Sequence, residues 1–246
     1  MIDTHCHLSY YDYDNLDQII EKIGNEGISV IINGTDLKSN DEAISISKTY
    51  SNIYASIGFH PEEVENISFN YIEYIESNIK NIVAVGEIGL DYHYTKENKD
   101  KQIELFENQL RIAEKYDIPV IVHSRDAIQD TYDILKKYKV RGSIHAFSGS
   151  LEMANKFIKL GFKLGIGGVL TFKNSNLKNV IKDIDMKNIL LETDSPYLSP
   201  EPVRGTKNSP LNLKYIVKFI SDLKGISYDE VISITSNNAI ALFDLK

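Results

Sequence analysis

The sequence predicts an α/β protein built as one (β/α)8 TIM barrel, on three observations: short apolar runs alternate with helical patterns, the runs are apolar on both faces, and no linker divides the chain. Eight β-branched runs stand at residues 1–4, 28–33, 53–58, 82–85, 120–122, 143–144, 162–165 and 189–191. Apolar residues on both faces suit parallel strands covered by helices. No Pro/Gly-rich stretch or charge block separates one half from the other, which favours one barrel over two domains. At 246 residues and 42% hydrophobic content, the chain can bury a full core.

Taken in order, the first run ends in His5-Cys6-His7. Between the fourth and fifth runs, Ile103, Phe106, Leu110 and Ala113 recur every three to four residues and predict an amphipathic helix. It must stop near Pro119, because the residue before proline is pushed towards extended geometry. Leu151, Ala154 and Ile158 draw another helical stripe, closed by Gly161 where a C-terminal cap belongs. Ser209-Pro210 opens a helix with a capping residue and a proline in the first turn. Ser227 and Glu230 have the spacing of a capping box for the last helix.

Composition excludes several classes. A formal net charge of -8 argues against coating duplex nucleic acid through a broad basic face, yet permits a local phosphate pocket, above all one centred on cations. No stretch approaches the roughly 20 apolar residues of a membrane span, and the N-terminus lacks the basic and apolar regions of a secretory signal. The expected location is therefore the cytoplasm, with no membrane partner. One cysteine excludes an intrachain disulfide and fits a reducing compartment. Without an exposed leucine-rich stripe, the default expectation is a monomer.

A barrel gathers its catalytic residues at the C-terminal ends of its strands, and the polar residues fall there. After the first run come His5 and His7; after the third, His60-Pro61; after the fourth, Glu87 to Asp91. The fifth ends in His123-Ser124-Arg125, the sixth in His145, and the eighth in Glu192-Thr193-Asp194. Five of the six histidines occupy such positions. In an extended strand His5 and His7 point to one side while Cys6 faces away. A bare His-x-His reads more readily as polar strand-end residues than as a ligand pair, so the company it keeps carries the weight. Four imidazoles (His5, His7, His123, His145) and two carboxylates (Glu87, Asp194) exceed what one tetrahedral ion needs. The expectation is two divalent ions about 3.5 to 4 Å apart, able to lower the pKa of a shared water and clamp a phosphoester. Glu87 is expected to bridge them. Asp194 is expected to hold the nucleophilic water and take its proton.

These residues resemble the TatD family of metal-dependent hydrolases, an amidohydrolase-like branch of barrels associated with DNase activity. The resemblance rests on Ile2-Asp3-Thr4-His5-Cys6-His7, Gly58-Phe59-His60-Pro61, Gly86-Glu87-Ile88-Gly89-Leu90-Asp91, Pro119 to Arg125, His145-Ala146-Phe147-Ser148-Gly149 and Leu191 to Pro196. It implies one hydrolase barrel over residues 1–246, with His5, His7, Glu87, His123, His145 and Asp194 as metal ligands. It also implies a nuclease that trims 3' ends of DNA, most of all single-stranded DNA. Val203 to Pro210 resembles a further family segment inexactly, through Thr206 and Ser209, and Glu62 follows His-Pro where a less acidic residue is expected.

The remaining candidates carry paired readings. Asp3 orients His5, or forms a salt bridge at the barrel bottom, and Glu192 stands in the same relation to Asp194. His60 bonds a substrate phosphate, or is a capped loop histidine. Arg125 offers its fork to a phosphate oxygen, or pairs with Asp126. Arg204 and Lys207 form a basic rim, two of few such groups near the mouth in a chain with four arginines. His93 reads as an exposed loop histidine and Cys6 as a buried filler. Tyr10, Tyr11 and Tyr13 stack on bases or pack a loop; Gly165, Gly167 and Gly168 admit substrate or make tight turns. There is no P-loop. Rival functions are a two-metal phosphatase or amidohydrolase for a small molecule and, from another class, a non-catalytic scaffold. Lysine is absent from the end of the fourth run, where Glu87 stands, which lowers amide-ring hydrolysis. Zn, Mn and Mg all suit such a donor set.

Overall fold

In the computed structural model, which describes residues 1–246, eight strands form one parallel sheet in sequence order. They are β1 (Ile2–Cys6), β2 (Ser29–Asn33), β3 (Ile53–Ile57), β4 (Ala84–Asp91), β5 (Val120–Arg125), β6 (Gly142–Ile144), β7 (Phe162–Ile166) and β8 (Ile189–Leu191). Helices occupy every crossover, and the sheet curls into a nearly closed (β/α)8 barrel. No helix is long and apolar enough to cross a membrane.

The helical stripes sit where their spacing places them. The helix before Pro119 is Lys99–Tyr116, stopped one residue later by Asp117 at φ 50°. Ser150 caps the helix Leu151–Lys159 by accepting from Met153 N–H, and Gly161 follows at φ 90°. Pro210–Asn212 is a 3-10 turn that leads into the helix Leu213–Lys224. The last helix, Tyr228–Phe243, begins under a Ser227 cap on Glu230 N–H. Only that arm of the expected capping box forms, with no return bond from the Glu230 carboxylate.

Four strands end past the sequence reading, among them β1 at Cys6, beyond His5, and β7 at Ile166, and the two longest extensions carry further site residues. β4 continues to Asp91 and β5 to Arg125, so Glu87 and His123 lie inside strands. Gly86 and Gly89 lie within the sheet, where they permit close approach. A Cβ on Gly89, at φ 148°, would lie 2.0 Å from the His123 carbonyl oxygen of the paired strand. Register slips between Asp3 and Cys6 on β1, and between Val85 and Ile88 on β4. Bulges of this kind turn a strand's later side chains to a new direction. His5, with Thr4, lies inside the first irregular stretch and Glu87, with Gly86, inside the second.

Alternation down each strand stacks the barrel interior in layers. At the bottom, Ile31, Ala84, Ile121 and Leu190 pack against Ala239, Leu242 and Phe243 of the last helix, which closes that end. One pleat higher lie buried polar side chains, Asp3, Ser56 and Ser143 from within their strands and Glu192 from just after β8. Above them stand the histidines. Between β8 and β1 the seam is made by Asp194 N–H donating to the His5 carbonyl (2.9 Å) and His7 N–H to the Ser195 carbonyl (2.7 Å).

Asp3 stitches this seam. Its Oδ1 accepts from Thr193 N–H (3.0 Å) and His5 N–H (3.2 Å), and its Oδ2 accepts from the Thr193 hydroxyl (2.6 Å). Neither sequence reading of Asp3 holds, because it touches no cationic side chain and bonds the His5 backbone instead of its ring. Burial pushes its carboxyl up to about 7 against the pull of those bonds. Asp3→Ala should cost about 2–4 kcal/mol in denaturant unfolding, since buried donors lose their acceptor, with Asp3→Asn losing less; equal stability of Asp3→Ala and the parent would contradict a stitching role.

Candidate metal centre

Strand ends deliver the six expected ligand residues to one floor. His5 and His7 come from β1 and just beyond it, Glu87 from β4, His123 from β5, His145 from just after β6 and Asp194 from the turn after β8. Ala146 at φ 43° and Asp194 at φ 54° sit in left-handed backbone, a strained state for non-glycine residues that clusters at functional sites. Asn208, fully buried, pins the turn that carries Asp194 through amide bonds to the Thr193 and Tyr197 carbonyls (2.8 and 2.7 Å).

The donor atoms form two groups that share Glu87. Around its Oε2 lie His5 Nε2 (3.3 Å) and His7 Nε2 (3.4 Å); those two nitrogens are 3.2 Å apart, and Asp194 Oδ1 is 3.6 and 3.5 Å from them. Four atoms at tetrahedral corners about 2.0–2.1 Å from an ion stand about 3.4 Å from one another, so this group fits a four-coordinate divalent cation. Around Oε1 lie His123 Nδ1 (2.8 Å) and His145 Nε2 (2.9 Å), themselves 3.0 Å apart. That spacing is close to the roughly 3.0 Å edge of an octahedron with bonds of about 2.1 Å, and three protein atoms leave corners free. Nitrogen and carboxylate donors of this kind suit zinc, manganese or iron.

Charge balance in the pocket follows from proximity. Burial pushes the Glu87 and Asp194 carboxyls up, but the surrounding imidazoles more than offset it, and both end below the usual range. For His7 and His123, burial pulls down while Asp194, Asp91 and Glu87 pull harder the other way, which leaves each at about 9. Burial and the neighbouring His145 take His5 down to about 4. The far nitrogens differ in kind. His7 Nδ1 faces the Asn33 carbonyl at 2.9 Å, whereas His5 Nδ1 and His145 Nδ1 have no partner and their rings stack at 3.9 Å.

Above this floor opens a cavity of about 700 Å³. Of the sequence-predicted substrate residues, His60 and Arg125 line it and Arg204 does not. Arg204 instead lays its guanidinium over the Phe172 ring at 4.1 Å, and Lys207 sits over Tyr13 and bonds the Asp12 carbonyl. Arg125 makes no ion pair, with Asp126 or otherwise, and rests against Tyr94, 5.2 Å from the ring centroid. Asp126 pairs with His93, which stays outside the cavity. Tyr13 is buried, and Tyr10 and Tyr11 lie off the cavity; the tyrosines that line it are Tyr94 and Tyr197. Cys6 faces the Ile31 carbonyl, away from the ligands.

Glu192 plays neither expected part. Its Oε1 accepts from Ala146 N–H and lies 3.9 Å from His145 Nδ1, while burial pushes its carboxyl well above the usual range. Residue 165 must be glycine because that carboxylate fills the space where a Cβ would stand, 2.0 Å from Oε2, and Gly168 likewise abuts the Leu198 carbonyl. Sequence reading missed Asp91, which lines the cavity and places Oδ2 2.9 Å from His123 Nε2. Its signal was the strand itself, since an extension of β4 to Asp91 carries it alongside β5.

Comparison with known proteins shows the family and the fold. The family model for TatD-related DNases matches residues 2–244. The chain is 39% identical to the metal-dependent hydrolase YabD of Bacillus subtilis over the whole of both proteins, and 33% identical to YcfH of Escherichia coli K12, covering all of this chain and 96% of the relative. The crystal structure of YjjV, a TatD homolog from Escherichia coli K12, superposes with a TM-score of 0.90 at 30% identity over all of this chain and 98% of that one. Gly165→Ala should force Glu192 and the Ala146 backbone apart at a cost of about 1–3 kcal/mol, read as a lower urea midpoint; an unchanged midpoint would show that the carboxylate is not packed there.

Proposed function

Because the chain belongs to the TatD-related DNase family, whose relatives are metal-dependent hydrolases, we propose that it hydrolyses phosphodiester bonds of nucleic acid as a 3'-5' exodeoxyribonuclease on single-stranded DNA. The observation that carries the reading is the Glu87 carboxylate, whose two oxygens each face a separate pair of imidazole nitrogens at 2.8–3.4 Å. One divalent ion would be held by His5, His7, Glu87 and Asp194, and a second by Glu87, His123 and His145. When bound, the pair supplies Lewis acidity at a phosphoryl oxygen and a lowered pKa for a water.

The chain's own residues do the rest. Asp194, kept ionised, accepts the proton of the attacking water; the water oxygen bonds phosphorus, the bond from phosphorus to the leaving 3'-oxygen breaks, and the proton passes to that oxygen. His60 takes a proton on Nε2, because its Nδ1 accepts Glu62 N–H at 3.3 Å, and burial holds it neutral with a pKa of about 3. It is therefore a neutral donor aimed across the floor at a phosphate oxygen. Arg125, free of any carboxylate, offers the one guanidinium at the wall. The whole chain works as one barrel domain, a monomer in the cytoplasm.

A second reading has its own support. Asp12, Glu62 and Glu63 line the same cavity and oppose a long polyanion, which suits a small phosphoester. Metal-stripped protein given Mg, Mn or Zn should release 3' label, before 5' label, from single-stranded DNA. Asp194→Asn should lose about a hundred- to ten-thousand-fold of that rate. Silence on DNA and RNA with a generic phosphomonoester hydrolysed would move the substrate to a small molecule, and full activity of Asp194→Asn would remove it as base. Arg125→Ala should lower the slope of log affinity against log salt by about one; an unchanged slope would remove Arg125 from the phosphate path.

A further inference from the structure

His60, Asp91 and His123 hold donor atoms within 4.8 Å of one another, beside the centre already described. The grouping looks like a third cation site, but the protons oppose it. His60 Nδ1 accepts a backbone N–H, so Nε2 carries the ring proton and has no lone pair to offer. His123 turns Nδ1 to Glu87 Oε1 and His145 Nε2, at 2.8 and 3.0 Å, and Nε2 to Asp91 Oδ2. A neutral imidazole has one proton and one lone pair, so a ring that gives its Nδ1 lone pair to a cation must carry its proton on Nε2. His123 Nε2–H then faces Asp91 Oδ2, and what it needs there is an acceptor.

We propose that Asp91 is a positioning residue that fixes His123 in the Nε2–H form and in the ring orientation that presents Nδ1 to a divalent cation. Its carboxylate is built for one direction. Asp91 is 4% exposed and makes no pair with a lysine or arginine. Oδ1 is occupied by His93 N–H at 2.8 Å, which leaves Oδ2 for His123. The backbone is clamped by buried Gln102, whose amide accepts from Asp91 N–H and donates to the Asp91 carbonyl, both at 2.9 Å. Gly89, with no room for a Cβ against the His123 carbonyl, brings the two strands close enough for the contact. No other candidate ligand has a carboxylate on its far nitrogen: His7 uses the Asn33 carbonyl, and Glu192 stands 3.9 Å from His145 Nδ1. An outer carboxylate of this kind raises ligand basicity and typically adds tenfold to a hundredfold in metal affinity.

The inference rests on His123 as a ligand and not on nucleic acid as substrate, so its test reads metal. In zinc-loaded parent protein labelled with 15N-histidine, His123, assigned against His123→Gln, should show a protonated Nε2 and a zinc-bound Nδ1. By competition with a chelator, Asp91→Ala should bind zinc about 10- to 100-fold more weakly, while Asp91→Asn, which keeps an acceptor oxygen without the charge, should fall between it and the parent. Coordination through Nε2, or parent-like affinity in Asp91→Ala, would overturn the assignment. A third equivalent of zinc in the parent, lost alone in Asp91→Ala, would replace it with a cation site. Failure of the parent to bind zinc at all would remove the metal reading itself, whereas normal binding without hydrolysis of DNA would leave this inference standing.

Discussion

Two backbone hydrogen bonds between the first strand and the turn after the last one hold the centre together: Asp194 N–H to the His5 carbonyl and His7 N–H to the Ser195 carbonyl. His5 and Asp194 stand at opposite ends of the chain, and only barrel closure brings their side chains to 3.6 Å. No regular ladder joins β8 to β1, so the seam depends on these bonds, on Asp3 against Thr193, and on Asn208 gripping the turn. Closure and ligand geometry are therefore one constraint. Loosening the seam would spread His5, His7 and Asp194 apart before it disturbed the helices.

Glu87 shows how local irregularity serves that constraint. A regular strand would keep Glu87 out of the inward face occupied by Ala84, yet the slip of register between Val85 and Ile88 redirects it to the middle of the floor. There it touches imidazoles from three other strands, and their combined charge holds it ionised despite full burial. Asp91, four residues on, uses the same strand to reach His123. The polar layer beneath, with Asp3 and Glu192, ties down backbone and leaves the candidate donor atoms to the layer above.

The barrel, and the convergence of six candidate side chains on one floor, were legible because both rest on short-range rules: apolar runs in alternation with helical stripes, and histidines at strand ends. What was hidden depends on partners distant in sequence. The fourth apolar run stops at residue 85, before Gly86 and Gly89, and only the neighbouring strand shows that Gly89 is needed for closeness to His123. Placing the strand end at residue 85 put Asp91 in a loop and concealed its bond. Arg204 illustrates the opposite error, a charge near the mouth in sequence whose side chain prefers the face of Phe172. Asp3 and Glu192 were recognised as polar and inward, but their partners, backbone amides with the Thr193 hydroxyl added for Asp3, lie far off in sequence or leave no mark in side-chain chemistry.

Anomalous diffraction from crystals soaked in zinc or manganese addresses the central claim, that Glu87 organises two adjacent cation sites. The geometry predicts two peaks per chain, one bonded to His5, His7 and Asp194, the other to His123 and His145, and both to Glu87. A single peak, or two that do not share Glu87, would contradict it.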